Sequence, residues 1–190
     1  MKRTLLIFIS VLTTATLISC SGDELDQMRS AELNVHENNF IYDSQLVGQW
    51  DLSAIVSATP VDLNADGELN TNLVSETECF QPMSLIFNGN KTFTAVNVQL
   101  DLREENDEDT FSCVNGVSKG IWSLKDDILS MIVTVGNKKF ETKKQLFPTD
   151  NTFQFEVNRL ESKDYVKDHG GTSASGMSII YVEYTRVKKF

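Results

Sequence analysis

Hydrophobic side chains alternate with polar ones along most of the chain from Leu46 onward. The alternation is clearest at residues 50–54, 96–100 and 153–157. Because successive side chains of a β-strand point to opposite faces, this period of two predicts half-buried strands rather than helices. Turn sequences separate the segments, as in the Asn-Gly-Asn sequence at 88–90. The alternation therefore limits the chain to an all-β fold.

We expect about eight antiparallel strands joined mostly by short turns, with no helix of three turns inside the domain. Such an up-and-down meander closes naturally into a barrel, because closure removes exposed strand edges. A two-sheet sandwich is the alternative. Pairing between the first and last strands distinguishes the barrel from the sandwich.

Composition narrows the classes of function. The chain is 41% hydrophobic, which is too high for disorder, and its 27 acidic against 17 basic residues give a net charge of −10. An acidic surface repels phosphate, so we expect no nucleic-acid partner. With two histidines and no recognisable nucleophile or phosphate motif, the sequence predicts a non-enzymatic protein without a required cofactor.

The N-terminus has the pattern of a lipoprotein signal peptide over residues 1–19. Lys2 and Arg3 precede an apolar run that polar residues interrupt, which is typical of a signal peptide rather than a membrane span. Residues 17–20, Leu-Ile-Ser-Cys, resemble the bacterial lipobox, in which the cysteine is acylated and the chain is cut before it. We therefore expect acyl chains such as palmitate on Cys20, and a location on either face of the outer membrane. Ordinary secretion is the alternative.

Residues 20–43 are predicted to be a flexible acidic tether, and residues 44–190 the barrel domain. The acidic residues at 23–26 also resemble the export tags that send some lipoproteins to the cell surface. Both interpretations of this acidic cluster stay open.

Two cysteines remain inside the predicted domain once Cys20 is assigned to the anchor. Cys79 and Cys113 form an even pair in an oxidising compartment, so we predict a disulfide between them. Two buried free thiols are the alternative.

Three short segments resemble those of bacterial lipocalin-like lipoproteins. Residues 46–52, Leu-Val-Gly-Gln-Trp-Asp-Leu, match the L-x-G-x-W opening of that family, and residues 87–93 and 120–129 resemble its recurring hairpins. The likeness covers most of residues 44–188. It implies a small barrel on a lipid-anchored envelope protein, and it supports fold more than function.

A candidate calcium loop follows the first predicted strand. Its D-x-N-x-D-G spacing resembles the start of an EF-hand, where alternate oxygen side chains converge on the ion. The twelfth position, which needs a bidentate acid, is Leu73, so the alternative is an Asx-rich turn. The candidate oxygen ligands are Asp62, Asn64, Asp66, Glu68, Asn70 and Glu76.

Aromatic residues at core-facing strand positions are candidates for the lining of a ligand cavity. Packing in a filled core is the alternative for all of them. These residues are Trp50, Phe87, Trp122, Phe153 and Phe155.

Two further segments are expected to be loops. The acidic cluster at 101–109 predicts a solvated hairpin loop. Residues 167–176 contain His169 and Ser173 but miss the nucleophile elbow by one residue, and a flexible loop at the barrel mouth is the expectation.

These observations lead to two expected functions. The first is a non-enzymatic, lipid-anchored envelope lipoprotein whose barrel binds a small apolar or amphipathic ligand. The second is a structural or interaction lipoprotein with a filled barrel, whose acidic loops, with or without calcium, recruit an envelope partner of unknown identity.

Overall fold

The computed structural model describes residues 40–106 and 108–188. The predicted signal peptide, the lipidation site Cys20 and the predicted tether up to residue 39 lie outside the described residues. Within the described part of the chain, no helix is both long enough and apolar enough to cross a membrane.

Strands dominate the described residues, as the alternation predicts, and the all-β prediction is confirmed. Two helices of one turn each accompany them, α1 (Asp43–Leu46) and α2 (Ser162–Tyr165), together with a 3₁₀ turn at Glu78–Phe80. The strands are β1 (Gly48–Val61), β2 (Asn70–Asn72), β3 (Ser84–Phe87), β4 (Thr92–Glu105), β5 (Glu108–Lys125), β6 (Ile128–Val135), β7 (Lys138–Gln145), β8 (Phe147–Pro148), β9 (Thr152–Glu156), β10 (Val166–Asp168) and β11 (Ile179–Arg186).

Nine strands form one continuous antiparallel path that curls into a half-barrel. Their order is β7-β6-β5-β4-β3-β1-β11-β9-β8, while β2 pairs with β1, and β10 pairs in parallel with β4. The first long strand therefore lies beside the last, with Trp50 opposite Arg186 and Ile55 opposite Val182. This pairing is the one expected of a barrel rather than a sandwich.

The two ends of the sheet path, β7 and β8, follow each other in the chain and are joined by Leu146. We call the gap between β7 and β9 the seam. β9 pairs with β11 on one side and with the two residues of β8 on the other, and no ladder among the described residues joins β9 to β7.

The turns follow the chemistry of their residues. Asp126 and Asp127 both have positive φ, of 51° and 58°, which allows β5 to turn directly into β6. Gly136, with φ of 60°, turns β6 into β7 in the same way.

Two segments differ from the expectation. The acidic cluster at 101–109 lies largely in strands, because β4 and β5 continue their pairing as far as Glu105 and Glu108. The segment expected to be a mouth loop begins as β10, which pairs with β4 at residues 100–102. Both segments were expected to be loops because their residues are polar or charged. Backbone pairing with a neighbouring strand instead continues into each of them.

The predicted disulfide is present and joins Cys79 in the 3₁₀ turn to Cys113 on β5, with their Cα atoms 5.5 Å apart. It fastens the segment between β2 and β3 to the long β4–β5 hairpin. The disulfide therefore connects two elements that are 34 positions apart in the chain.

Candidate ligand-binding site

A cavity of about 360 Å³ lies against the concave face of the sheet. Its apolar wall is built by residues of five strands, β3, β4, β6, β9 and β11. Those apolar and aromatic residues are Leu85, Phe93, Ala95, Val98, Met131, Val133, Phe155 and Tyr184.

Polar side chains also line the cavity, both beside α2 and on the strands. Asp164 and Tyr165 come from this helix, Glu161 immediately precedes it, and Thr142 and Lys144 come from β7. The backbone N–H of Ile179 on β11 donates to the hydroxyl of Ser162 over 2.7 Å, which fixes the helix to the sheet. Asn97 on β4 and Ser118 on β5 also line the cavity, so its wall combines an apolar strand face with polar groups from the strands and from α2.

Two tyrosines, Tyr165 and Tyr184, form part of the cavity wall. Burial raises the pKa of Tyr184 well above its usual range, and the neighbouring Tyr165 raises it further. Burial also raises the pKa of Tyr165, and the charges of Glu161 and Asp164 add to that effect. Both phenols consequently keep their protons at neutral pH, so each is able to donate a hydrogen bond.

The ammonium group of Lys144 crosses the seam. Its Nζ lies 2.7 Å from a carboxylate oxygen of Glu161 and donates to the carbonyl oxygen of Glu156 over 3.4 Å. The same atom lies 5.1 Å from the centre of the Phe155 ring. The side chain of Lys144 is 8% exposed, which is unusual for a lysine, and these partners offset the cost of burying it.

The carboxylate of Glu161 accepts a second hydrogen bond besides that from Lys144. Burial alone would raise the pKa of Glu161, but hydrogen bonds from Lys144 and from the backbone N–H of Asn158, together with the lysine charge, lower it. Glu161 is accordingly ionised at neutral pH and forms an ion pair with Lys144.

A groove of about 720 Å³ lies on the outer side of the same seam. Lys144, Phe155 and Glu161 line both this groove and the inner cavity. The two spaces thus meet at the Lys144–Glu161 ion pair.

One end of the half-barrel, next to this cavity, is filled with aromatic rings. Trp50 packs edge-on against Phe153 at 4.7 Å between ring centres, and Phe87 packs against Trp122 at 5.4 Å. Of the five residues predicted to line a cavity, Phe155 does so, while these four pack against one another in two pairs.

The L-x-G-x-W motif supports this filled end. The guanidinium of Arg186 lies 4.3 Å from the centre of the Trp50 ring and donates to the carbonyl of Val47 over 3.1 Å. Gly48 has φ of +138°, and a Cβ atom there would lie 3.1 Å from the guanidinium. Glycine is required because it accepts this backbone angle and leaves room for Arg186.

Hydrogen bonds hold the segment containing His169 and Ser173 against the β4–β5 hairpin. His169 Nε2 lies 3.0 Å from a carboxylate oxygen of Asp101, which also pairs with Arg103 and Lys167. Ser173 donates its hydroxyl to Asp109 over 2.5 Å. The two side chains therefore have separate partners, and neither contacts the other as a nucleophile and base would.

Three carboxylates in this region have a lowered pKa. The hydrogen bond from Arg103 is the largest cause for Asp101, and the hydroxyl of Ser173 is the largest for Asp109. For Asp168, burial acts in the raising direction, but backbone N–H groups of the segment outweigh it. All three carboxylates are ionised when the segment is in place.

The candidate calcium loop is closed by hydrogen bonds of its own. Asp62 accepts from the backbone N–H groups of Asp66 and Gly67, and Asn64 accepts from that of Asp66. Asp66 in turn accepts from the N–H of Glu68 over 2.8 Å. These contacts are those of an Asx-rich turn.

Glu76 anchors this loop from a position that is 2% exposed. Its two carboxylate oxygens accept from the N–H of Leu63 and from the side-chain amide of Asn70, over 2.9 and 2.6 Å. The structure thus brings Glu76 to Asn70 and to the start of the loop. No group of three or more acidic, histidine or cysteine side chains suited to a metal ion occurs in residues 40–106 or 108–188, and calcium binding stays a prediction.

The sequence did not single out Lys144, Glu161 or Tyr165 as site residues. Lys144 and Thr142 lie two positions apart and therefore on one face of β7, and this spacing was the only sequence feature that could have linked them to the cavity. A charged residue on a weakly apolar strand is usually solvated, so this spacing alone did not mark Lys144 as buried. The segment of Glu161 and Tyr165 has no strand periodicity, and its place under the sheet depends on tertiary packing.

A comparison with protein families places the chain in a group. Residues 39–168, more than half of the chain, match a family described as "Domain of unknown function (DUF5004)". The chain belongs to this family. The match extends from the residues before α1 to the end of β10, so it includes Lys144, Phe155 and Glu161, while β11 with Tyr184 lies beyond it. No curated protein and no solved structure matches the chain.

Proposed function

We propose that this protein is a non-enzymatic, lipid-anchored lipoprotein of the cell envelope whose half-barrel binds a small apolar or amphipathic ligand. The observation that carries the proposal is the cavity of about 360 Å³, whose wall combines apolar strand residues with polar groups. Ligand pockets commonly have volumes of roughly 300–1,000 Å³ and combine apolar walls with a few polar groups. The volume lies near the lower limit, so the ligand is small.

The proposed location rests on the sequence. The basic start, the apolar run and the lipobox-like residues 17–20 support acylation of Cys20 and attachment to the outer membrane. The resemblance of residues 46–52 to lipocalin-like lipoproteins supports the same assignment.

Titration of the purified protein with the neutral fluorophore N-phenyl-1-naphthylamine tests the binding function. We expect saturable binding that Ala95→Phe abolishes, because Ala95 is buried on the cavity wall and a ring there would fill the space. Thr94→Phe is the matched control, since its side chain points to the other face of β4. Absence of saturable binding, or unchanged binding by a folded Ala95→Phe variant, would contradict the proposal.

The second candidate function is an interaction lipoprotein that recruits an envelope partner. The filled aromatic end around Trp50 and Trp122 favours this candidate, as does the acidic hairpin at 101–109. Calcium at the loop from Asp62 to Asn70 belongs to the same candidate. Calorimetry that shows calcium heat for the wild type and none for Asp66→Ala would support that site, and no heat for either would leave an ordinary turn.

A further inference from the structure

The seam connects the cavity with the outer groove. The outer groove and the inner cavity share Lys144, Phe155 and Glu161, and no ladder among the described residues closes β7 against β9. The aromatic pairs around Trp50 and Trp122 fill the core next to the cavity. An apolar chain that enters the cavity through the seam therefore passes the Lys144–Glu161 ion pair.

The two members of this ion pair differ in what they lose when the pair separates. Lys144, with its side chain 8% exposed, would be left with one carbonyl oxygen at 3.4 Å and the face of Phe155. Glu161, with its side chain 31% exposed, would keep the backbone N–H of Asn158 and would gain contact with water. An unpaired buried ammonium costs more than a half-exposed carboxylate that keeps a donor.

Because unpairing Lys144 costs more than unpairing Glu161, the ion pair favours a ligand with a negatively charged head group. An anionic head group that replaces Glu161 leaves Lys144 paired, whereas a cationic head group that replaces Lys144 leaves a buried ammonium without a counter-ion. A carboxylate matches best, because Glu161 already shows that a carboxylate fits against Lys144 at 2.7 Å.

From these contacts we infer that the ligand is an amphipathic carboxylic acid, whose apolar tail lies in the cavity and whose head group binds Lys144 at the seam in exchange for Glu161. This inference rests on the proposed ligand-binding function and adds the chemical class of the ligand and its route of entry. Lys144 is the counter-ion of the head group, and Glu161 is the competitor that occupies its place in the empty protein.

Calorimetric titrations with decanoate and with decanol, which share one tail and differ in the head group, test the inference. We expect decanoate to bind the wild type at least about tenfold more tightly than decanol, since hydrogen bonds to charged groups are the stronger kind. Lys144→Gln should remove this preference and keep decanol binding. Lys143→Gln is the matched control, because Lys143 lies in the same groove with its side chain 62% exposed.

The outcomes separate the inference from the function on which it rests. If decanol binds and decanoate has no advantage, or if Lys143→Gln and Lys144→Gln reduce decanoate binding equally, the inference is wrong and the binding function stands. If neither compound binds the wild type, the binding function itself fails. Should Lys144→Gln not fold, Glu161→Gln decides: tighter decanoate binding than in the wild type supports the inference, and equal or weaker binding overturns it.

Discussion

The guanidinium of Arg186, on the last strand, stacks 4.3 Å from the centre of the Trp50 ring on the first. The indole N–H of Trp50 donates to the carbonyl of Leu46 over 2.8 Å, and its ring edge packs against Phe153. The two ends of the domain sequence are joined at this point, where β1 pairs with β11. This contact makes the filled end of the half-barrel a stabilising element.

We therefore expect Trp50→Ala to destabilise the protein by about 3–5 kcal/mol, the usual cost of removing a large aromatic side chain from a core. Arg186→Ala should cost about 1–2 kcal/mol, because it removes a partly desolvated cation–π contact. Urea unfolding measures both changes. Leu160→Ala, at a residue that is 77% exposed, is the control and should change the free energy of unfolding by less than about 0.5 kcal/mol. Equal stability of Trp50→Ala and the control would contradict the account.

The disulfide should contribute a stabilisation set mainly by the length of the loop that it closes. Cys79 and Cys113 are 34 positions apart, for which the chain-entropy model gives about 3–4 kcal/mol. The double variant Cys79→Ala/Cys113→Ala should have a free energy of unfolding lower than that of the oxidised wild type by this amount. Urea unfolding measures it, and adding reductant should not change the value for the variant. The wild type should fall to a similar stability when reductant is added. A wild type whose stability is the same under oxidising and reducing conditions would show that the link contributes nothing.

The segment from Val166 to Met177 should make the fold sensitive to acid. Asp101, Asp109 and Asp168 have lowered pKa values in the folded protein, so the unfolded state binds more protons as pH falls. Their stabilisation is fully present above about pH 4, the ordinary range of an aspartate, and is lost as pH falls towards the folded values.

Thermal unfolding at pH 6 and pH 3 measures this effect. The melting temperature should fall at pH 3, and Asp101→Asn should show a smaller fall than the wild type because it no longer carries the carboxylate that three basic side chains contact. Asp150→Asn, in an exposed turn, is the control and should follow the wild type. Parallel loss of stability in the wild type and in Asp101→Asn would refute the role of Asp101.

The lipid anchor should depend on a single thiol. Cys20→Ser removes the nucleophile that is acylated, so we expect the protein to leave the membrane fraction. Fractionation of cells measures this, and mass spectrometry of the N-terminus shows whether acyl chains are present. Cys113→Ala is the matched cysteine control and should stay in the membrane fraction. Membrane retention of Cys20→Ser would contradict lipidation.

The strands were predictable from the sequence because the two-residue alternation is local. Trp50, Phe153 and Phe155 were all expected to face inward, and all three are buried. The alternation predicts which face of the sheet a side chain occupies, but it does not predict the position of that side chain along the barrel axis. For that reason Phe155 reaches the cavity, whereas Trp50 and Phe153 fill the closed end.

The polar part of the site was not predictable in the same way. Lys144 is buried because Glu161, from a segment 17 positions later, folds back over the seam to neutralise it. Neither residue has a sequence signal that indicates the other. The contact depends on how α2 packs beneath the sheet, which is a tertiary property.

The most direct test of ligand binding uses methionine-methyl NMR of the purified protein during a titration with decanoate. The Met131 side chain lines the cavity, while Met83 is 1% exposed in the core and is not part of the cavity wall. We predict a saturable shift of the Met131 methyl resonance with little change at Met83. A Met131 resonance that stays in place throughout the titration, or one that moves no more than Met83, would contradict the account.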